Sequence, residues 1–184
     1  VEMAGYEADD IIGTLANKAV EAGMSAYVVT GDRDALQLVK PDLTVLFTKK
    51  GISDMVLYDE AKFQEEYQGL SPVQLIDLKG LMGDNSDNIP GVPKVGPKTA
   101  MKLIAAYGSV EQVLLHIEEI SGKALQERLR DNQQQAVLSK KLATIKLDVP
   151  VAYQEAEFAL DAKAGALTAF YQKYQMRSLA RQVG

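Results

Sequence analysis

The spacing of apolar residues along the chain predicts an alternation of helices and strands. Ile11, Ile12 and Leu15 fall on one face of a helix that ends before Gly23. Short continuous apolar runs after this helix predict strands. The predicted strands are Ser25–Thr30, Leu43–Thr48 and Met55–Tyr58, the last two forming a hairpin around Lys49, Lys50 and Gly51. The predicted helices are Glu7–Ala22, Asp34–Leu38 (a single turn), Asp59–Tyr67, Ser71–Leu81, Pro97–Tyr107, Ser109–Ile117, Gly122–Arg130, Asn132–Ile145 and Lys163–Tyr174.

This order of elements predicts an α/β core followed by a mostly helical region. Residues 1–70 hold every predicted strand and residues 71–184 hold only helices, so we expect two regions within one structural domain. No strand precedes the first helix, although a parallel sheet would need one there, and the chain does not begin with Met. We therefore expect an α/β core that is incomplete at the N-terminus and a chain that is part of a longer protein.

The composition of the 184-residue chain is that of a globular protein, with 47% hydrophobic and 24% charged residues. The chain has no Cys, which excludes a disulfide framework and fits the reducing cytoplasm. No run of about eighteen apolar residues predicts a membrane span. The net charge of −5 argues against a nucleic-acid partner, but residues 88–110 contain Lys94, Lys98 and Lys102 and no acid. The distribution of charge is therefore more informative than its sum.

Seven carboxylates stand in three tight groups, each at the beginning or the end of a predicted element. Asp32 follows the carboxyl end of the first strand, and this is the edge where α/β sheets hold ligands. Carboxylates that converge repel each other, and hard cations such as Mg²⁺ or Mn²⁺ compensate them through oxygen ligands. Zinc is disfavoured because the chain has one His and no Cys. The candidate metal ligands are Glu7, Asp9, Asp10, Asp32, Asp34, Asp84 and Asp87.

Each acidic group also has an ordinary structural explanation. Acids in the first turn of a helix complement the helix dipole, and Asp34 is suited to cap the turn that begins at Ala35. The third group stands in a polar string of the kind that ends helices. The second group is not an EF-hand, because Leu36 and Gln37 occupy positions that a calcium loop needs for a ligand and for Gly.

A segment rich in Gly and Pro comes directly after the third acidic group. Gly91 and Gly96 permit tight turns, and Pro97 suits the first position of a helix whose first amides face outward. Outward amides beside Lys94 and Lys98 would bind phosphate groups. The segment is not a Walker A loop, because Pro97 stands where that loop needs Lys.

Together, Glu-Ala-Asp-Asp (7–10), Gly-Asp-Arg-Asp (31–34) and Gly-Asp-Asn-Ser-Asp-Asn-Ile-Pro-Gly-Val-Pro-Lys-Val-Gly-Pro-Lys-Thr-Ala (83–100) closely resemble the 5′ nuclease (5′-3′ exonuclease) domain of bacterial DNA polymerase I, in the flap endonuclease superfamily. The resemblance covers essentially the whole chain. It implies a PIN-like (Rossmann-like) nuclease core, followed by a helical region whose helix–three-turn–helix motif binds duplex DNA.

The resemblance also implies the activity and the site residues. The expected reaction is two-metal hydrolysis of phosphodiesters at a 5′ end or 5′ flap in DNA replication and repair, with Mg²⁺ or Mn²⁺ on the seven acids and often K⁺ at the helix–three-turn–helix. From the residues themselves, Lys79 stands one to two turns before Asp84 and could face the reacting phosphate, although an ordinary structural role stays open for it. The candidate catalytic residues are Asp10, Asp32 and Lys79. The candidate DNA-binding residues are Gly91, Val92, Lys94, Val95, Gly96, Lys98 and Thr99.

The expected partners are DNA with a 5′ flap, nick or duplex end, RNA primer–DNA hybrids, and the polymerase domains of a parent chain, in the bacterial cytoplasm at the nucleoid and away from any membrane. Two other interpretations stay open. One is a DNA-binding module without catalysis, which follows if the metal ligands and the basic helical arch that the family carries ahead of the position of Val1 are essential. The other is a Mg²⁺-dependent phosphatase, which the Gly- and Pro-rich segment disfavours because a small phosphate ester needs no such grip.

Overall fold

The computed structural model describes residues 1–50, 54–154, 156, 159 and 164–183. It divides into two compact units, Val1–Val151 and Ala152–Gly184. The α-helices of the first unit are α1 (Ala8–Glu21), α2 (Glu60–Glu66), α3 (Leu75–Met82), α4 (Pro97–Tyr107), α5 (Val110–Leu115), α6 (Lys123–Asp131) and α7 (Gln133–Ala143). Turns of 3-10 helix lie at Asp34–Leu38, Pro72–Gln74 and Ile117–Glu119.

The sheet of the first unit contains β1 (Ala26–Thr30), β2 (Leu43–Lys50) and β3 (Asp54–Tyr58), in that order. Strands β1 and β2 are parallel, with Val28 opposite Val45, and β2 and β3 are antiparallel, with Val45 opposite Tyr58. All three side chains are buried on one face, as the two-residue period of a strand requires. The predicted hairpin is therefore present, although Gly51 lies outside the described residues.

The helices after residue 70 and the sheet share one hydrophobic core. Phe63 of α2, Leu81 of α3 and Ile104 of α4 are fully buried, and they belong to the same cluster as Val45 of the sheet. Apolar residues on both sides of residue 70 therefore cover one another. For this reason the compact units do not separate near residue 70, where the sequence predicts the change from α/β to helical structure.

Helices α3 and α7 pack closely because small residues lie between them. A Cβ added to Gly80 on α3 would lie 3.0 Å from the Cβ of Lys140 and 3.2 Å from the carbonyl oxygen of Ala136 on α7. On its buried face, α7 carries Ala136, Ser139 and Ala143. This close approach fixes α7 beside the segment that follows α3.

The predicted elements are mostly present, and the differences lie at their ends. The helix predicted from Ser71 begins as the 3-10 turn Pro72–Gln74, and α7 ends at Ala143 because Thr144 has an extended backbone. The second unit contains α8 (Ala164–Lys173) and α9 (Arg177–Val183), of which α9 was not predicted, and Lys163 lies outside the described residues. None of the helices in the described ranges is both long and apolar enough to cross a membrane.

Candidate functional site

Five of the predicted metal ligands line one pocket of about 320 Å³, which we call the acidic pocket. Its polar lining is Glu7, Asp9, Asp32, Asp34 and Asp87, and its apolar lining is Ile89 and Leu142. The carboxylate oxygens of Asp34, Asp84 and Asp87 lie within 4.8 Å of one another, so this group of three could hold a metal ion. The structure thus brings six of the seven predicted acids to one place.

The beginning of α1 carries the first acidic group. Glu7 is the N-cap residue and Asp9 lies in the first turn, and both face the acidic pocket. Asp10 does not line the pocket, because its carboxylate accepts hydrogen bonds from the amide of Lys146 at 2.8 Å and from the amide of Glu7 at 3.3 Å. These bonds cap α1 and tie its start to Lys146, and the role of Asp10 as a metal ligand stays a prediction.

The turn after β1 orients the second acidic group. The amide of Asp32 donates to the hydroxyl of Thr30 at 3.0 Å, and one carboxylate oxygen of Asp32 accepts from the amide of Asp34 at 2.9 Å. These short-range bonds are typical of Asp in turns. They hold both carboxylates at the carboxyl edge of the sheet, as the sequence predicts.

The third acidic group lies on a closed loop after α3. The backbones of Asp84 and Ile89 exchange two hydrogen bonds of 2.8 Å, and Asn88 adopts φ of 55° to complete the turn between them. Inside the loop, a carboxylate oxygen of Asp84 accepts from the amide of Ser86 at 2.9 Å. These hydrogen bonds close the loop, and Asp87 on the loop lines the acidic pocket.

Lys79 lies among the acids as an internal cation. Its side chain is buried, and its ammonium donates a hydrogen bond to Asp34, lies 2.6 Å from Asp84 Oδ2 and lies 3.7 Å from Asp87 Oδ2. Burial disfavours the charged ammonium, but the hydrogen bonds to Asp34 and Asp84 outweigh it and raise the pKa of Lys79. Lys79 thus remains protonated and holds the second and third acidic groups together.

This ammonium compensates the acids unequally. Burial disfavours ionised Asp84, yet hydrogen bonds from Lys79 and Ser86 outweigh it and lower the pKa of Asp84 to about 2. Burial raises the pKa of Asp34 despite the bond from Lys79. Burial, followed by repulsion from Asp32 and Asp34, also raises the pKa of Asp9. The side of the pocket near Asp9 therefore keeps an excess of negative charge.

Residues 90–96, which follow Ile89 and lead into α4, are the Gly/Pro turn. Three of its predicted phosphate-binding amides already have partners inside the protein. The amide of Gly91 donates to the hydroxyl of Ser139 at 3.0 Å. The amide of Val92 donates to the carbonyl of Leu81 at 2.7 Å, and that of Val95 to the carbonyl of Val92 at 3.1 Å. An amide that is bonded in this way cannot donate to a phosphate, so the predicted role of these three residues is not supported.

The beginning of α4 retains the donors that the sequence predicts. The first bond of the helix runs from the amide of Ala100 to the carbonyl of Gly96 at 3.0 Å. The amides of Lys98 and Thr99 therefore have no carbonyl one turn earlier to accept from them. Gly96, Lys94 and Lys98 are exposed. The candidate phosphate site is thus smaller than predicted and is centred on the start of α4.

Sequence reasoning missed the residues that support these two sites. Ser139 and Gln135 of α7 bind the amide and the carbonyl of Gly91, and Ile89 and Leu142 form the apolar wall of the acidic pocket. A weak signal for Ser139 existed, because small residues at positions 136, 139 and 143 mark one helix face. The apolar wall leaves no signal in a sequence read without a structure.

Family models match both parts of the chain. Residues 1–68 match the model described as 5′-3′ exonuclease, N-terminal resolvase-like domain. Residues 70–165 match the model described as 5′-3′ exonuclease, C-terminal SAM fold. The change between the two models falls where the sequence changes from mixed to helical elements.

Similar proteins include one close relative and two more distant structures. DNA polymerase I of Bacillus caldotenax is 55% identical over 150 residues, which are 82% of this chain and 17% of that protein. The structure of T5 5′-exonuclease with bound divalent metal ions (zinc) matches 98% of this chain and 60% of its own, with a TM-score of 0.67 and 20% identity. The catalytic core of Rad2 in complex with DNA substrate matches 94% and 62%, with a TM-score of 0.54 and 14% identity. At such identities the two structures show the fold alone.

Proposed function

Because the chain belongs to the 5′-3′ exonuclease family, we propose that it hydrolyses phosphodiester bonds at 5′ ends and 5′ flaps of DNA. The family and the fold class predicted from the sequence are confirmed by the family models and the structural neighbours. The observation that carries the proposal is the acidic pocket, where Asp34, Asp84 and Asp87 approach within 4.8 Å of one another. In the same unit, the exposed start of α4 follows directly after these acids.

The acids of the pocket suit two divalent ions, Mg²⁺ or Mn²⁺. Their carboxylate oxygens are hard ligands, and burial raises the pKa values of Asp9 and Asp34, so a bound divalent ion would favour the charged forms of both residues. When bound, such ions activate a water molecule and stabilise the leaving oxygen. The proposed ligands are Glu7, Asp9, Asp32, Asp34, Asp84 and Asp87.

The protein's own residues orient this site. Lys79 stays protonated and positions Asp34 and Asp84, so its contribution to the reaction is the placement of carboxylates. Asp32 fixes the turn and also lines the pocket, which keeps it as the proposed catalytic carboxylate. We assign Asp10 a positioning role, because it ties the start of α1 to the amide of Lys146.

Duplex DNA would contact the start of α4. The amides of Lys98 and Thr99 and the side chains of Lys94 and Lys98 would bind phosphate oxygens, which carry no base sequence. The proposal therefore covers nicked and flapped DNA and RNA primer–DNA hybrids alike. It extends to a K⁺ ion at the Gly/Pro turn, where backbone carbonyl oxygens are suitable ligands.

The matched part of the chain is 17% of the length of DNA polymerase I of Bacillus caldotenax. We propose that it acts as the nuclease part of a bacterial DNA polymerase I, with polymerase domains in the same polypeptide, in the cytoplasm at the nucleoid. Under this proposal, the polymerase supplies the displaced 5′ strand and the nuclease removes it.

Cleavage of a 5′-labelled flap duplex in the presence of Mg²⁺ tests the proposal. We expect short products with a 5′-phosphate, and we expect a chelator or the combined change Asp32→Asn and Asp34→Asn to abolish them. Asp148→Asn is the matched control, because this exposed acid lies outside the acidic pocket. Binding without any Mg²⁺-dependent cleavage would favour the DNA-binding module. Competition by phosphate monoesters, but not by duplex DNA, would favour a phosphatase.

A further inference from the structure

Helix α7 buries its small residues and exposes its large apolar ones. Its buried residues are Ala136, Ser139 and Ala143. On its outer side, Val137, Leu138 and Leu142 are 44%, 50% and 58% exposed. Single exposed apolar residues are common, but three on one side of a helix indicate a contact surface. We call these three residues the apolar ridge.

The apolar ridge is continuous with the acidic pocket. Leu142 forms the apolar wall of that pocket together with Ile89. Leu138 lies one turn earlier on the same side of α7, since residues four apart are neighbours on a helix. A second pocket follows there, lined by Leu114, Gln133, Gln134, Val137, Leu138 and Lys141. The apolar ridge therefore connects the acidic pocket with this second pocket.

The charge of this second pocket is opposite to that of the acidic pocket. Its only ionisable lining residue among those that the structure describes is Lys141, and two Gln side chains supply the other polar groups. Lys141 is exposed, whereas its neighbour Lys140 is paired with Asp77 and Glu111 at 2.7 Å each. An extended chain that carries both apolar faces and phosphates would match the ridge and this lysine together.

We propose that the apolar ridge binds the unpaired 5′ strand next to the phosphodiester that is cleaved. This inference rests on the proposed function and adds the path of the strand to it. Bases that have left a duplex expose apolar faces, and burying those faces against Leu138 and Leu142 is favourable. Leucine is among the side chains that contact unstacked bases in other nucleic-acid complexes. Lys141 would hold a phosphate of the same strand.

The arrangement explains how a polyanion approaches an acidic pocket. Without compensation, Asp9 and its neighbours repel the phosphates of the strand. Contacts between bases and the ridge do not depend on charge, and Lys141 attracts the strand before it reaches the acids. The ridge would therefore give flapped DNA an advantage over a blunt duplex, whose paired bases cannot contact Leu138 or Leu142.

Binding of two labelled duplexes by the chain tests this path. The duplexes are identical except that one carries an unpaired 5′ strand, and Ca²⁺ serves as the divalent ion. We expect Leu138→Gln combined with Leu142→Gln to weaken binding of the flapped duplex by about five- to tenfold, since each substitution removes apolar surface that a base would cover. Binding of the blunt duplex should fall less than binding of the flapped duplex, because its paired bases do not contact the ridge. Gln is chosen because it maintains the helix.

Leu115→Gln is the matched control, because Leu115 is 74% exposed and lines neither pocket. It should bind both duplexes like the wild type. Lys141→Gln should reduce the slope of log K against log salt by about 0.7 for the flapped duplex alone. Equal binding of the flapped duplex by the wild type and the double variant would overturn the proposal. Loss of self-association in the double variant, with unchanged flap binding, would overturn it in favour of an interface between copies.

A failure of the proposed function would be visible separately. In that case the wild-type chain would bind neither duplex, whereas a failure of the ridge alone leaves wild-type binding intact and insensitive to the leucine substitutions.

Discussion

Asp87 and Ile89 of the acidic pocket directly precede the Gly/Pro turn, yet the two regions differ in how their polar groups are paired. The acidic pocket gathers carboxylates whose charged forms are disfavoured by burial, which raises the pKa values of Asp9 and Asp34. The Gly/Pro turn instead satisfies its own amides, since Gly91 and Val92 donate to groups inside the protein. We propose that a divalent ion completes the acidic pocket, whereas the Gly/Pro turn is complete as folded and positions the start of α4.

This difference predicts that the turn is sensitive to shape and the pocket to charge. In Gly91→Ala, the new Cβ would lie 2.1 Å from the amide nitrogen of Gly83, at a φ of +59° that L residues rarely adopt. We expect a loss of about 3–4 kcal/mol in the free energy of unfolding, measured by urea denaturation. Gly69→Ala is the control, because its φ is +85° with nothing within 4 Å, and it should cost only about 1–2 kcal/mol. Equal losses would show that the turn is not tightly packed.

Replacing Lys79, the internal cation, should cause the next largest loss of unfolding free energy. Lys79→Met leaves Asp34 and Asp84 without their buried partner, and we expect a loss of about 3 kcal/mol in unfolding free energy without divalent ions. Mg²⁺ should restore part of this loss, because a divalent ion compensates the same carboxylates. Lys62→Met removes only the exposed pair with Glu65 and should leave the unfolding free energy nearly unchanged, with no response to Mg²⁺. A loss at Lys79 that Mg²⁺ leaves unchanged would count against a shared cation site.

Asp9→Asn should stabilise the fold without a divalent ion and destabilise it with one. The folded protein raises the pKa of Asp9 above 3.8, so this residue destabilises the fold progressively as pH rises through its raised pKa. Without metal, the variant should be more stable than the wild type at pH 7 by less than about 1 kcal/mol, and the two should converge below the ordinary pKa. With Mg²⁺ the wild type should be the more stable, because the variant has one ligand fewer. Thermal melts of both proteins, from pH 7 to below the ordinary pKa of 3.8, in a chelator and in Mg²⁺, would measure these differences in stability.

The smallest expected effect concerns the start of α4. Lys98→Ala should weaken binding of every duplex sequence alike and reduce the slope of log K against log salt by about 0.9 for each phosphate that the lysine neutralises. The effect should be the same with and without Mg²⁺, unlike the effects in the acidic pocket. Lys62→Ala, on α2, should leave the slope unchanged. A change confined to particular sequences would contradict phosphate binding at this position.

The acidic pocket was largely predictable because its residues carry their chemistry in their side chains. The groups around Asp32 and Asp87 stand at element ends in the sequence, and the start of α1 and the turn after β1 meet at the acidic pocket. Asp10 is not among the residues that line the acidic pocket, and its role as a ligand stays a prediction. Its spacing matches a ligand, but its carboxylate accepts a hydrogen bond from the amide of Lys146, which is 136 residues later.

The Gly/Pro turn was predictable in position but not in hydrogen bonding. Gly and Pro mark where the backbone turns, yet the partners of Gly91 and Val92 are Ser139 and Leu81, which only the packed structure identifies. The role of Lys79 was likewise predictable only in part. Its distance along the chain from Asp84 indicated proximity, but its burial between Asp34 and Asp84 depends on how α3 packs against the turn after β1.

Titration of the chain with Mn²⁺, followed by the decrease of the free-ion electron paramagnetic resonance signal, tests the central claim most directly. We predict saturable binding of two ions by the wild type and loss of at least one in Asp34→Asn combined with Asp87→Asn. Gly69→Ala and Lys98→Ala, which lie outside the acidic pocket, should bind as the wild type does. Absence of saturable binding in the wild type, or equal binding after both acids are replaced, would contradict the assignment of the acidic pocket as a divalent-cation site.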